Sequence, residues 1–257
     1  MELWNGILQA FGLVLARTSA LVLSSPVLGF GTGFSGYKIG LIFVLSLALF
    51  GAVQPSLGIG GEDVETFSYG VMMVREVLIG IFLGFLLHLA MVVLHVSGEL
   101  IGHEMGFMVA KQTDPVTGTQ TSLITNVYEI LFILTFLALN GHHWLISALH
   151  RSFDRAPIGE LEFSGNLVPM ITEMFGEMFA AGIVFAAPIM VFLFVVSSLL
   201  GLLARVVPTL NILEIGFSVR VMVALVGLFA FAPLLEPALN QLHTNLASWI
   251  DRGLDAL

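Results

Sequence analysis

Cysteine is absent from the 257 residues of this chain. That excludes disulfides, thiolate metal sites and a cysteine nucleophile. Charge is nearly as scarce. Asp, Glu, Lys and Arg make up 11% of the residues, less than half of the roughly one quarter found in soluble domains. Such a chain cannot clothe a water-facing surface in the usual way, so it belongs in a membrane or inside a larger apolar assembly. Cations are the scarcer sign: 9 Lys+Arg against 18 Asp+Glu give a net charge of −9. No basic stripe exists, so nucleic acid is not an expected partner. The opening Met-Glu-Leu-Trp-Asn is acidic and lacks a positive n-region, so a cleaved signal peptide is not expected. No linker or shift in composition divides the sequence, and residues 1–257 are expected to form a single domain.

What remains is oil. Hydrophobic residues make up 57% of the chain, and its mean hydropathy is +0.99. Six runs approach the roughly 20 apolar residues that a helix needs to cross a bilayer: Ile7–Phe30, Ile39–Ile59, Val77–Val96, Leu123–Leu149, Met178–Ala204 and Ile212–Leu235. The expected class is all-α, a polytopic membrane-type arrangement of helical hairpins. Pro26, Pro55, Pro208, Pro233 and Pro237 fall near run ends, while Pro188 lies inside one. Glycines recur within the runs, and Gly80 and Gly84 make a G-x-x-x-G pair that lets helix backbones approach closely. Two further stretches are amphipathic at helical spacing: one from Asn166 through Phe179, the other from Leu239 to Leu257. Neither is basic, which favours protein over anionic lipid as their partner. The Lys/Arg distribution assigns no orientation. Lys38, Lys111 and Arg205 fall on one side of a six-span arrangement, and Arg75, Arg151, Arg155 and Arg252 on the other.

Ionisable residues in apolar runs are costly and mark function or pairing. Arg17 sits in the middle of the first run and Glu129 early in the fourth; Glu214 and Arg220 open the last. His88, His95, Glu99, His103 and Glu104 follow one another along a helical stretch. They admit two readings, a proton relay or a set of side chains paired with each other and with other subunits. Several lie at the end of their run, where polarity is ordinary. Catalytic signatures are missing. His103-Glu104 opens like a zinc H-E-x-x-H helix, but Phe107 stands where the second His is needed. His142 and His143 are adjacent and cannot share a metal at i, i+4 spacing. Gly58-Ile59-Gly60-Gly61 is followed by acids, not by the Lys of a phosphate-binding loop. Neither an enzyme nor a cofactor is expected. An independent transporter is a rival reading, but no clear repeat of Gly98–Gly106 appears in the C-terminal half.

Residues Gly102–Ser122 interrupt the oil with glycines, Lys111, Asp114-Pro115 and a string of small polar side chains. Irregular polar backbone at membrane depth is tolerated only where it lines water or is buried in protein. Gly102, Gly106 and Gly118 permit sharp turns, and Asp114-Pro115 sets one. Phe107, Met108 and Val109 can form an apolar stopper, and Lys111, Gln112 and Thr113 would face water. The alternative is a plain surface connection between helices.

Four stretches in order carry a resemblance: ARTSALVLSSPVLG (16–29), GELIGHEMGFMVAKQTDPVTGTQT (98–121), LNGHHWLI (139–146) and VPTLNILEIGFSVRV (207–221). Together they resemble the FliR family of flagellar type III export-gate proteins, over nearly the whole chain. One departure is Glu104-Met105-Gly106, where that family usually has Gln-Met-Gly. The resemblance implies a non-enzymatic channel subunit. One copy would pack with a FliP pentamer and a FliQ tetramer into a helical cone, with FlhB and FlhA at the cytoplasmic side. Unfolded flagellar proteins would pass through. The chain would combine a FliP-like N-terminal part with a FliQ-like C-terminal hairpin, in the bacterial inner membrane at the flagellar basal body. An injectisome export subunit of the homologous secretion T family is the close alternative. The resemblance also implies that Gly106, Phe107, Met108, Val109, Lys111, Gln112, Thr113, Asp114, Pro115, Thr117 and Gly118 belong to a loop that closes the resting pore. Arg17, Glu129, Pro208, Asn211, Glu214, Gly216 and Arg220 are read as intramembrane polar pairs and subunit-packing positions.

Overall fold

A computed structural model describes residues 2–28, 35–53, 66–106, 123–158, 167–207 and 212–255. Among these the regular elements are helices, and no strand occurs. In chain order they are α1 (Glu2–Ser24), α2 (Ser35–Val53), α3 (Thr66–Glu104), α4 (Leu123–Ala138), α5 (Gly141–Arg155), α6 (Leu167–Val206) and α7 (Ile212–Asp255). The chain is thus all-α and of polytopic membrane type. Among the described residues four helices are long and apolar enough to cross a membrane, over Gly6–Ser24, Ser68–Glu104, Val168–Val206 and Ile215–Asp255, or five spans if the bent pair Leu123–Ala138 and Gly141–Arg155 counts as one.

Three helices overrun their apolar runs. α3, α6 and α7 contain 39, 40 and 44 residues. At about 1.5 Å per residue each is about 60 Å long, twice the hydrocarbon thickness of roughly 30 Å. The amphipathic stretch from Asn166 is, from Leu167 on, the opening of α6, and that near the C-terminus is the continuation of α7. Pro188 lies inside α6, and Pro233 and Pro237 lie inside α7. The two prolines expected near a run end therefore do not end the helix. Each removes one backbone hydrogen bond, and α7 continues because Leu239, Leu242, Leu246, Ile250 and Leu254 are buried beyond them.

The run Leu123–Leu149 is not one straight helix, although its two parts together are long and apolar enough for one broken span. It breaks into α4 and α5, which meet at an angle of 74°. The break is made by Asn140, whose φ of 58° and ψ of 29° are left-handed. Asn is among the few non-glycine residues that adopt this conformation readily. Its amide donates to the Leu137 carbonyl at 3.1 Å, and its own carbonyl accepts from His143 and Trp144 at 3.0 and 3.3 Å. One residue thus closes α4 and starts α5.

Backbone contacts divide the chain into two compact units. The first comprises Met1–Leu89, Leu137–Met174 and Asn245–Leu257; the second comprises Ala90–Phe136 and Phe175–Thr244. In the first, α1 buries Leu13, Val14, Arg17 and Leu21 on one helical face. Its Phe11 meets Phe43 and Phe50 of α2 edge to face. The end of α7 closes this unit with Leu246, Trp249, Ile250 and Leu254. In the second, Phe132 of α4 stacks on His243 of α7 with centroids 4.7 Å apart, and Tyr128 meets Phe185 of α6 edge to face.

Candidate functional site

The polar side chains that the apolar helices keep are gathered at a few joints. The most buried lies in the first unit, where α1, α3 and α5 meet. Arg17, Arg75 and Glu76 are 0%, 4% and 0% exposed. The Arg17 Nε donates to Glu76 Oε2 at 2.5 Å. One terminal nitrogen donates to the Ser152 carbonyl at 2.7 Å and the Ser152 hydroxyl at 3.1 Å, the other to the Ala156 carbonyl at 2.8 Å. Arg75 reaches the other carboxylate oxygen of Glu76 at 3.3 Å and the Pro157 carbonyl at 2.8 Å. The Arg17 guanidinium also lies 4.1 Å over the Phe153 ring.

The chemistry of this joint follows from the end of α5. The last carbonyls of a helix have no partner within it and carry the negative end of its dipole. Two guanidiniums supply both the donors and the positive charge, while Glu76 divides its oxygens between them. The backbones come close beside it because α3 has no side chain there. A Cβ on Gly80 would strike the Arg17 carbonyl and Ala20, and one on Gly84 would strike Ser24. The G-x-x-x-G spacing is thus the surface on which α3 meets α1.

In the second unit, His95 of α3 meets Glu129 of α4. Its Nδ1 lies 3.0 Å from Glu129 Oε1 and 3.3 Å from the Met91 carbonyl. The side chains are 43% and 19% exposed. Gly98 brings α3 against Thr125, and Gly182 of α6 packs on Val96. His88 belongs to the first unit, where its Nδ1 lies 3.2 Å from the Ser24 carbonyl. The residues grouped along α3 in the sequence are therefore divided between two settings.

Other positions singled out in the sequence fall as follows. Phe107, Met108, Val109, Lys111, Gln112, Thr113, Asp114, Pro115, Thr117 and Gly118 lie outside the described residues, as do Pro208 and Asn211. Gly106, the last described residue before Phe107, has φ of 85°, and a Cβ there would lie 3.3 Å from the Phe217 ring of α7. Glu214 and Gly216 lie in α7, and Gly216 is buried. Arg220 keeps its Nε buried without a hydrogen-bond partner among the described residues. Arg151 and Arg155 of α5 pair with Asp251 and Asp255 of α7 at 2.9 and 2.6 Å, all four substantially exposed. No group of three or more His, Asp or Glu able to hold a metal occurs among the described residues.

Sequence reasoning found Arg17 and missed its partners. Glu76 stands one place before the run Val77–Val96 and reads there as an ordinary polar flank. The usable signal was Arg17 itself, since a cation in an apolar run requires an anion.

A model of the family described as bacterial export proteins, family 1, matches residues 8–246. The flagellar biosynthetic protein FliR of Escherichia coli (strain K12) is 32% identical over 247 residues, covering 95% of this chain and 92% of that protein. FliR of Bacillus subtilis (strain 168) is 29% identical, covering 86% and 85%. The surface presentation of antigens protein SpaR of Shigella flexneri is 23% identical, covering 84% and 82%. The chain belongs to the FliR family of bacterial export proteins.

Proposed function

We propose that this chain is a non-enzymatic membrane subunit of the flagellar type III protein-export gate. In this reading one copy joins five FliP and four FliQ subunits in a channel for unfolded flagellar proteins. FlhB and FlhA stand at its cytoplasmic side, and the site is the inner membrane at the basal body. The flagellar reading is preferred over the injectisome because the E. coli FliR relative is 32% identical and SpaR 23%.

Beside family membership, the observation that carries an assembled rather than solitary subunit is the uneven covering of the long helices. In the most apolar stretch of α3, 61% of the residues are buried, against 22% in α6 and 17% in α7. Val184, Phe194, Met222 and Phe229 are among the large side chains left open. α6 and α7 are the proposed FliQ-like hairpin, and their open faces suit further helices of the same kind. Large exposed apolar surface of this kind marks lipid or protein contacts.

Loop 106–122 is proposed to close the resting pore. Its support is its polar composition between apolar helices and the left-handed conformation of Gly106 at the end of α3. The first test is native mass spectrometry of the tagged chain co-expressed with FliP and FliQ. One copy retained in a large defined hetero-oligomer is expected; a monomer or homodimer that ignores both partners refutes the reading. Deletion of Lys111–Gly118 is then expected to make cells leak small solutes. Leakage equal to wild type refutes the plug while leaving the subunit assignment standing.

A further inference from the structure

We propose that His95 and Glu129 form a proton-binding dyad in which His95 Nε2 takes a proton from hydronium and Glu129 holds the ring in place. The site rests on the α3–α4 geometry and not on the export reading.

The contacts of the ring decide which nitrogen carries hydrogen. His95 Nδ1 faces two oxygens, Glu129 Oε1 at 3.0 Å and the Met91 carbonyl at 3.3 Å. A carbonyl only accepts, and so does an ionised carboxylate. Nδ1 must therefore donate, which fixes the tautomer as Nδ1–H. In a neutral imidazole the other nitrogen then keeps its lone pair. Nε2 is thus the basic atom. The Met91 contact is made within α3, one turn back along the helix, and Glu129 comes from α4, so the ring is oriented from two sides. A carboxylate behind Nδ1–H is the arrangement by which proteins fix imidazole tautomers at proton-transfer and metal sites.

Protonation is a simple balance. A proton passes from hydronium to the Nε2 lone pair, no bond within the protein breaks, and the ring gains one positive charge. The neutral-ring contact across α3 and α4 becomes an imidazolium–carboxylate pair. Water must reach the ring for this to happen, and the His95 side chain is 43% exposed. A charged ring is costly against hydrocarbon, so the dyad requires that water reach this face of α3 and α4.

Other titratable groups set the field. Glu129 faces the ring from α4, and Glu99 stands one turn further along α3. α6 carries Glu177 on the helix whose Gly182 packs on Val96. α7 carries His243, whose ring lies on Phe132 one turn from Glu129.

The test uses the full chain with ring-15N histidine, followed by NMR in detergent micelles from alkaline to acid pH. The His95 signal is assigned by its loss in His95→Gln. The expected result is an Nδ1–H tautomer at alkaline pH, with Nε2 the nitrogen that gains the proton on acidification. Glu129→Leu leaves only the longer Met91 contact and is expected to shift the ring towards the Nε2–H form that imidazole prefers in water. Glu129→Gln retains an acceptor and should keep the Nδ1–H form. A wild-type ring in the Nε2–H form at alkaline pH overturns the proposal without any variant. A Glu129→Leu spectrum identical to wild type across the range overturns it as well.

Discussion

Breaking the buried joint of Arg17, Arg75 and Glu76 should have an order of effects that inspection of contact numbers would reverse. Arg17 makes the greater number of contacts, four hydrogen bonds and a ring contact. Contact counting therefore makes its removal the worst change. Charge gives the opposite result. The joint holds two guanidiniums and one carboxylate. Replacing Arg17 by Met leaves Glu76 still paired with Arg75 at 3.3 Å, a neutral remainder. Replacing Glu76 by Gln leaves two buried cations facing one another with no anion. Removing one partner of a buried ion pair costs about 3–5 kcal/mol. Glu76→Gln is expected at or above the upper end of that range and Arg17→Met near the lower. For a chain of about this size 1 kcal/mol moves Tm by roughly 2–4 °C, so Glu76→Gln should lower Tm by at least about 10 °C. The double variant Arg17→Met/Glu76→Gln leaves one buried cation on the Pro157 carbonyl and should be more stable than Glu76→Gln alone. The assay is thermal unfolding of the purified chain in detergent, read by circular dichroism, with all three variants in parallel. Arg17→Met as damaging as Glu76→Gln, or a double variant worse than both, would refute the charge argument.

Two further outcomes come from backbone geometry. Gly84→Ala places a Cβ against Ser24, so it should lower Tm, and adding Ser24→Gly should restore part of the loss; equal Tm for the single and double variants would show that the helices simply part. Asn140→Ala forces a left-handed residue at the α4–α5 bend and should cost about 1–2 kcal/mol, whereas Asn140→Gly should be close to neutral, as the same melting experiment would show.

The helical class and the apolar composition were legible before any coordinates, because a bilayer-length run is a long signal that averages over many residues. The boundaries were less so. Leu123–Leu149 reads as one straight helix since hydropathy cannot register a single left-handed residue, and Asn140 is enough to turn the chain by 74°. Pro233 and Pro237 read as a helix end because propensity is local, while the buried face that carries α7 past them depends on packing. Arg17 stood out by its surroundings. Glu76, Ser152 and the carbonyls of Ala156 and Pro157 did not, since two of them are main-chain groups and their meeting depends on where α5 ends. The contact of His95 with Glu129 joins residues distant in sequence, and no spacing rule pairs them.

The route of the chain through its two units constrains its biogenesis. The first unit is begun by α1 and finished by residues 245–257, after the whole second unit has intervened. Leu246, Trp249, Ile250 and Leu254 are buried there, and Gly253 lies against Leu86 and Phe82. While the chain is being made, α1 and α3 can meet, but the floor beneath Leu86 is missing until translation has passed residue 245. Arg17 and Glu76 must therefore wait in an incomplete unit through the synthesis of the long apolar helices. A ribosome stalled anywhere within α6 or the first half of α7 would leave an open apolar cleft for the membrane quality-control proteases.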